Sequence, residues 1–315
     1  MKIKIEQWDG QYDDACAMQN IAELCNPILG TMDRQNILHF YRGVTKGFAQ
    51  STLIAKLKNE ICGYALLCPG ASEHTVRLVG GVHPDHRSKG IATKLYTEIL
   101  ERIKQHPSKT EIQSGTLKSC PAGTLFLKKL GFTQVDQGHW SSRSVTAPFP
   151  SWAIEKVMQF EKASLTIVLG SEFETLRADW DREWWSLMMS ANKDIPSTIP
   201  FQPIPFEIWR PRLNPPFLNR NHSLIALDEL TPIGVLHLDD VVNGKINICY
   251  TGTASSHRRR GISTVLKIKS FELAKKLGAH TIGTFNHHKN PMLHINKRLG
   301  FEQQEVNLEY LKILK

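Results

Sequence analysis

Between Ser51 and Val82 the chain runs in short β-rich stretches separated by turn-forming residues: STLIAKLK from Ser51, EICGYALLC from Glu60 and HTVRLVGGV from His74. Runs of this kind bounded by short turns predict three consecutive strands. The second half repeats the order with HSLIALD from His222, PIGVLHLDD from Pro232 and KINICYTGT from Lys245. The period then changes. Ile91, Leu95, Ile99 and Ile103 recur at every fourth position, with Ala92 and Leu100 widening the stripe, and Ile262, Val265, Leu266, Leu273, Ala274 and Leu277 do the same before Gly278. A stripe at that spacing predicts a helix with one face on a sheet, and Gly278 is its stop. EIQSG from Glu111 and HTIGTF from His280 predict one more strand in each half, followed by a second helix. In the later copy Asn290 suits its cap, Pro291 its first position and Gly300 its end; the earlier copy keeps Pro121 and Gly131 without the capping Asn.

The two halves are copies. HRSKGIA from His86 returns as HRRRGIS from His257, Arg87 to Arg258 being an offset of 171 residues, and LKKLGF ending at Phe132 returns as NKRLGF ending at Phe301, an offset of 169. Two independent motifs at nearly one spacing mark a duplicated frame, and 315 residues are enough for two domains, each with its own core. We place the first domain at 1–144, a linker at 145–163 and the second domain at 164–315. The linker begins in SVTAPFPSW from Ser144 and runs into a short helix at about Trp152 to Ala163. The stretch Asp194 to Pro216 holds seven prolines and reads as an irregular loop, either packed on the surface or lining a substrate cleft.

Composition narrows the class. With 41% hydrophobic and 22% charged residues the chain is globular. The opening MKIKIEQWDGQYDD has no apolar stretch after its lysines, no run reaches membrane-spanning length, and the six cysteines are scattered without CxxC pairs. Reduced thiols in a cytoplasmic protein are expected, with no membrane partner. A net charge of +9 suits an anionic partner without choosing among nucleic acid, membrane surface and phosphorylated small molecule. No helix-turn-helix or aromatic-interleaved RNA motif accompanies SSHRRRG, so no nucleic-acid partner is expected. None of the thirteen histidines has HExxH or Cys/His zinc spacing, so no metal is expected.

A strand feeding an Arg/Lys/Gly turn that opens a helix gathers unpaired backbone N–H groups and the positive end of the helix dipole, a cradle for pyrophosphate. Gly90 and Gly261 let backbone approach the anion, Ala92 and Ser263 keep the first helical turn close, and Arg87, Lys89, Arg258, Arg259 and Arg260 add charge. VHPDHRSKGIA from Val82 resembles motif A of the GCN5-related N-acetyltransferase (GNAT) family, Q/R-x-x-G-x-G/A, and TASSHRRRGIS from Thr253 is similar, with Ser263 where the family prefers Gly or Ala. Thr284 to Phe301 resembles the strand and helix that follow, with Asn286 and Asn290 at positions common in acetyl-CoA-binding members. Two such domains in one chain also resemble the architecture of mycothiol synthase.

The resemblance implies an α+β fold of two tandem domains, each a mixed, mostly antiparallel sheet with helices on both faces and a splayed acyl-CoA cleft. Its implied cofactor residues are Val82, Arg87, Ser88, Lys89, Gly90, Ile91, Ala92 and Thr93 in the first copy. In the second they are Thr251, Gly252, Thr253, Arg258, Arg259, Arg260, Gly261, Ile262, Ser263 and Thr264, with Asn286 and Asn290. It also implies direct attack of a primary amine, on a small molecule or peptide, at the thioester of acetyl-CoA, with backbone N–H groups polarising the carbonyl. The family's acid is often a tyrosine just before the K/R-x-G-F ending; Leu127 and Asn296 stand there. Tyr250, Tyr310, a water or no acid at all are the alternatives. For the base, Asp239 and Asp240 end a strand with His237 on the face of Asp239, and a water chain is the alternative. The catalytic candidates are thus Asp239, Asp240, Tyr250 and Asn296. The fuller match of Asn286 to Phe301 places the chemistry in the second domain. The competing reading is a non-catalytic acyl-CoA-binding or regulatory protein, since neither tyrosine is present. The sequence carries no signature of oligomeric state.

Overall fold

The computed structural model describes residues 3–29, 34–45, 47–48, 51–70, 72–193, 201–215 and 217–314. The chain forms two compact units, residues 1–138 with 305–315, and residues 139–304. The first unit runs β1 (Lys4–Gln7), α1 (Tyr12–Cys25), α2 (Arg34–Val44), β2 (Leu53–Leu57), β3 (Glu60–Pro69), β4 (Thr75–Val82), α3 (Ile91–Ile103), β5 (Glu111–Leu117) and α4 (Pro121–Lys129), then the start of β6 (Thr133–Ser144). The rest of β6 opens the second unit, followed by α5 (Ser151–Lys162), β7 (Leu165–Leu169), α6 (Gly170–Leu176), α7 (Trp180–Asn192), α8 (Phe206–Trp209), β8 (Ser223–Asp228), β9 (Thr231–Leu238), β10 (Lys245–Thr253), α9 (Ile262–Lys276), β11 (Thr281–His287) and α10 (Pro291–Arg298). The last strand is β12 (Glu302–Ile313). Every strand and helix predicted from the two repeated frames is present.

In the first unit the strand order is β1-β2-β3-β4-β5-β12, antiparallel except for β4 beside β5. In the second it is β6-β11-β10-β9-β8-β7, with β10 and β11 parallel and β7 to β10 successively antiparallel. The strand pairing departs from a linear division of the chain at its end. Residues 307–313, which sequence order assigns to the second half, pair with β5 of the first unit from Asn307↔Leu117 to Ile313↔Glu111. The physical reason lies in the packing: Val306, Leu308 and Tyr310 share one face and complete the first core with Ile91, Leu95 and Ile112. Lys312 adds an anchor, its Nζ donating to the Leu130 carbonyl at 2.7 Å and to the Tyr96 hydroxyl at 3.0 Å.

Of the proline-rich stretch, residues 194–200 and 216 lie outside the described residues. The remainder is more regular than a proline count suggests. Pro205 precedes α8 and Pro211 opens a 3-10 turn over Arg210–Leu213, places where a missing N–H removes no helical bond. Phe206, Trp209 and Leu213 bury themselves against Phe173 and Trp184.

Helix α9 is buried almost all round, because the sheet covers one side and α5 covers another with Ala153 and Phe160. The surroundings enclose even Lys267, whose Nζ stands 6.0 Å from the Phe301 ring centre and whose pKa burial lowers to about 7. The unfolded chain holds that proton up to about pH 10.4, so it binds more protons than the native state between about 7 and 10. Stability of the second unit therefore rises with pH across that window. Thermal melts of the wild type should show the rise, and Lys267→Met should flatten it while raising the melting temperature at pH 7. Deletion of residues 305–315 should leave β5 without its partner strand. Limited proteolysis should then degrade residues 1–138 while 139–304 stay protected; equal loss of both units would contradict the strand assignment.

Candidate acyl-CoA clefts

The two repeated turns have one backbone path. After β4 the chain makes a 3-10 turn over Pro84–His86, then sets Ser88 at φ 60° and Gly90 at φ 79° before α3 begins. After β10 the 3-10 turn is Ser255–His257, with Arg259 at φ 61° and Gly261 at φ 84° before α9. Each helix is entered through a left-handed glycine with no side-chain cap. The first N–H groups of each helix, ahead of Lys94 and Thr264, whose N–H groups close on the Gly90 and Gly261 carbonyls, are therefore open to an external anion.

The strands bordering each turn also part. The parallel pair β10/β11 is in register from Lys245↔Thr281 to Ile248↔Thr284 and no further, and β4/β5 from Thr75↔Glu111 to Arg77↔Gln113. A wedge opens beyond these points, leading to the turn. In the second unit β10 carries a bulge at Cys249, between the pairs Ile248↔Leu238 and Tyr250↔His237. The β3/β4 pairing keeps an unbroken register from Gly63↔Val82 to Pro69↔Val76. The bulge changes the side to which following residues point. Ile248 lies in the core beneath α9, whereas Tyr250 packs with Trp184 and Met188 beneath α7.

Around the second turn lies a cleft of ≈ 370 Å³, bordered by Thr253, Arg258, Arg259 and Ile262 to Thr264, and closed by α5 and α10. Its backbone cradle fits a diphosphate, but the turn cations differ in destination. Arg258 and Arg259 border the cleft, whereas Arg260 reaches Asp228 at 3.9 Å, joining His257 there at 3.3 Å. Ser263, the departure from the motif, is tied by its hydroxyl to Thr253 Oγ1 at 2.7 Å, so its bulk is held toward the strand. Thr251 presents a buried hydroxyl with no partner among the described residues. Gly252 must lack a side chain, since a Cβ would come within 2.7 Å of the Tyr250 hydroxyl and 2.8 Å of Ala191.

Asn286 and Asn296 are brought together, the Asn296 amide donating to Asn286 Oδ1 at 2.5 Å and bracing β11 against α10. Asn296 is fully buried. Asn290 caps α10 by accepting the Met292 N–H at 2.9 Å. Asp239 receives both donors of Asn247, the backbone N–H at 2.6 Å and the side-chain amide at 2.9 Å. Burial raises its pKa against the pull of those bonds. Asp240 is exposed and faces His222 at 3.1 Å. Tyr310 belongs to β12 in the first core, which takes it out of the second unit.

Sequence reasoning missed a column of rings beside β10. Trp184, His237 and Tyr250 stack in turn, with centroids 5.6 Å apart at each step. Ser223 donates its hydroxyl to the Asn219 carbonyl at 2.9 Å, so it can only accept from His237 Nδ1 at 3.1 Å. That fixes the His237 tautomer and leaves Nε2 a bare acceptor. Trp184 Nε1, His237 Nε2 and the Tyr250 hydroxyl are all buried without a partner among the described residues. Burial lowers the His237 pKa to about 3 and pushes the Tyr250 phenol above its ordinary value, so both are neutral near pH 7. The only signal in the sequence was the alternation of His237 with Asp239.

The first unit holds a smaller cleft, ≈ 250 Å³, between Cys25 of α1, Arg87 of the turn, Leu117 and the start of α4 at Pro121. Cys25 fills the wedge, its thiol 3.5 Å from the Val82 carbonyl and 3.6 Å from Arg87 Nη2. Lys89 folds back on the Asp85 carbonyl at 2.9 Å. Ala92 and Thr93 stand in the first turn of α3, and Ile91 is buried in the core.

Residues 49–134 match the family model of the acetyltransferase (GNAT) domain. No curated protein matches the chain. Among solved structures, a GCN5-related N-acetyltransferase from Sphaerobacter thermophilus superposes with a TM-score of 0.73 at 16% identity, over 99% of this chain and 95% of its own. A tandem GNAT protein of the clavulanic acid biosynthesis pathway gives 0.69 at 15%, over 99% and 98%. The GCN5-related glucosamine N-acetyltransferase region of a fungal multi-domain GH3 β-N-acetylglucosaminidase gives 0.68 at 13%, over 98% of this chain and 38% of that one. At such identities the likeness is one of fold. The chain is therefore a tandem-domain protein of the GCN5-related N-acetyltransferase fold, whose residues 49–134 match the GNAT domain in sequence as well.

Proposed function

We propose that the protein transfers an acetyl group from acetyl-CoA to a primary amine of a small molecule or peptide, and that the second unit does the chemistry. The observation that carries this reading is the conjunction at β10: an open left-handed turn at one end, a bulged and parted strand along it, and, on its α7 side, buried polar groups with no partner among the described residues. Arg258, Arg259 and the N–H groups from Gly261 to Ser263 hold the diphosphate. Acetyl-CoA supplies the activated thioester; the C–S bond breaks and an amide C–N bond forms.

Two proton tasks remain for this chain. The attacking amine must lose a proton, and a water relay takes that task, ordered by the Nε2 acceptor of neutral His237, which has no partner among the described residues; Asp239 has both oxygens engaged by Asn247, and burial keeps the His237 ring from holding the proton itself. The Tyr250 phenol, kept neutral by burial, is the donor available to the departing thiolate. Asn296 braces Asn286 and carries no proton role. The family-model match over residues 49–134 favours, as a second reading, a first unit that also binds acyl-CoA. Its Cys25-filled wedge makes it a binding or scaffolding copy.

Thiol release from acetyl-CoA, measured across a broad panel of amines, is the test. Gly261→Trp should lower kcat/KM on the order of 10²-fold by closing the cradle, while Gly90→Trp retains most turnover; the opposite pattern would move the chemistry to the first unit. Tyr250→Phe should lower kcat by at least about tenfold with KM for acetyl-CoA unchanged. Release at background for every amine, with cofactor binding intact, would leave a non-catalytic acyl-CoA-binding protein.

A further inference from the structure

The helix that joins the two halves, α5, forms a wall of the second cleft. Trp152, Lys156 and Gln159 lie one turn apart on one face of α5 and all border the cleft, opposite Arg259 and Gly261. The approach is close: a Cβ on Gly261 would lie 3.0 Å from Lys156 Cδ, whereas a Cβ on Gly90 would meet nothing within 4 Å. The Lys156 stem thus runs along the turn and delivers its ammonium to the cleft rim, where Nζ donates to Gln159 Oε1 at 2.8 Å. From α10, Arg298 lays its guanidinium 4.2 Å from the centre of the Trp152 ring.

The charge around this cleft is unbalanced. Lys156, Arg259 and Arg298 have no carboxylate within salt-bridge distance among the described residues, and the acid on the border, Glu155, is exposed and pairs with none of them. Three cations without acids around a cleft that already holds a diphosphate cradle carry more positive charge than a diphosphate neutralises. Resting on the acyl-CoA reading above, we propose that α5 and Arg298 form a subsite for the 3′-phosphorylated adenosine end of CoA. Lys156 and Arg298 pair with the 3′-phosphate, and the Trp152 ring, already faced by a guanidinium, stacks the base. A ligand with the diphosphate but without the 3′-phosphate satisfies the turn and leaves α5 unused.

The discriminating ligand is 3′-dephospho-CoA. Binding to the full-length chain is followed by calorimetry and by intrinsic tryptophan fluorescence. Wild type should bind CoA at least about tenfold more tightly than dephospho-CoA, a difference of about 1.4 kcal/mol, and the preference should fall steeply with added salt. Lys156→Ala and Arg298→Ala should each erase most of the preference while leaving dephospho-CoA affinity within about twofold. Lys156→Glu, still a good helix former, should invert it. Trp152→Leu should remove the fluorescence change. Equal weakening of both ligands, or a preference that survives Lys156→Ala and Lys156→Glu, overturns the subsite. If Gly261→Trp leaves the affinity for both ligands unchanged, the acyl-CoA reading of the second unit is itself lost. If Gly261→Trp abolishes binding of both while the preference survives in the α5 variants, only the subsite is lost.

Discussion

The second unit depends on one backbone conformation, the left-handed glycine that ends the turn after β10. Gly261 at φ 84° lets the chain pass from strand to helix without a capping side chain, so the first N–H groups of α9 remain unclaimed. Arg259 two residues earlier is left-handed as well, a conformation that costs a non-glycine residue about 1 kcal/mol or more. Such a turn persists because its neighbours hold it: the His257 N–H reaches the Ala254 carbonyl at 2.9 Å, and the Thr264 and Val265 N–H groups close on the Gly261 carbonyl. The direction of α9 follows from that exit, and with it the burial of the helix between sheet and α5.

The same turn in two settings gives two different sites. In the first unit the cradle is bare on its outer side, while the wedge behind it is occupied by Cys25 and borders an unbulged strand. In the second, α5 walls the outer side, and the bulge at Cys249 sends Tyr250 to the opposite face of the sheet from Ile248. One inserted residue in a strand therefore separates a filled core from a place where buried polar groups without partners among the described residues collect. Duplication supplied the frame twice, and local changes of one or two residues decided what each copy can do.

What the sequence disclosed and what it withheld divide along the range of the interactions. The left-handed turn was legible at Gly90 and Gly261 because its demands are local: a residue that tolerates positive φ, small neighbours and a helix stripe immediately after. The strands before it were legible for the same reason. The partner of β12 was not, because Val306, Leu308 and Tyr310 alternate as they would on any half-buried edge, and nothing local says which sheet they complete. Nor was the ring column, whose members at 184, 237 and 250 meet only after α7 folds onto the sheet. Asn286 and Asn296 stood out as cofactor and catalytic candidates, yet their amides bond to each other at 2.5 Å. Helix α5 was legible as a helix within the linker, but not its place: Trp152 and Lys156 come to face Arg298 and Gly261 only once the second unit has folded.

That last case exposes a general asymmetry between backbone and side-chain recognition. A motif specifies where N–H groups lie, because their positions follow from φ and ψ within a few residues. It does not specify where long cationic side chains end. Of the turn residues Arg258, Arg259, Arg260 and Lys89, Arg260 is drawn to Asp228 and Lys89 to the Asp85 carbonyl, neither contact lying toward a cleft. At the second cleft, charge beside Arg258 and Arg259 comes also from Lys156 of α5 and Arg298 of α10, neither of them in the motif. The net charge of +9 is therefore a poor guide to the field a ligand meets. What matters is that Lys156, Arg259 and Arg298 border this cleft with no carboxylate within salt-bridge distance among the described residues, since within a Debye length of about 8 to 10 Å uncompensated charge attracts an anion.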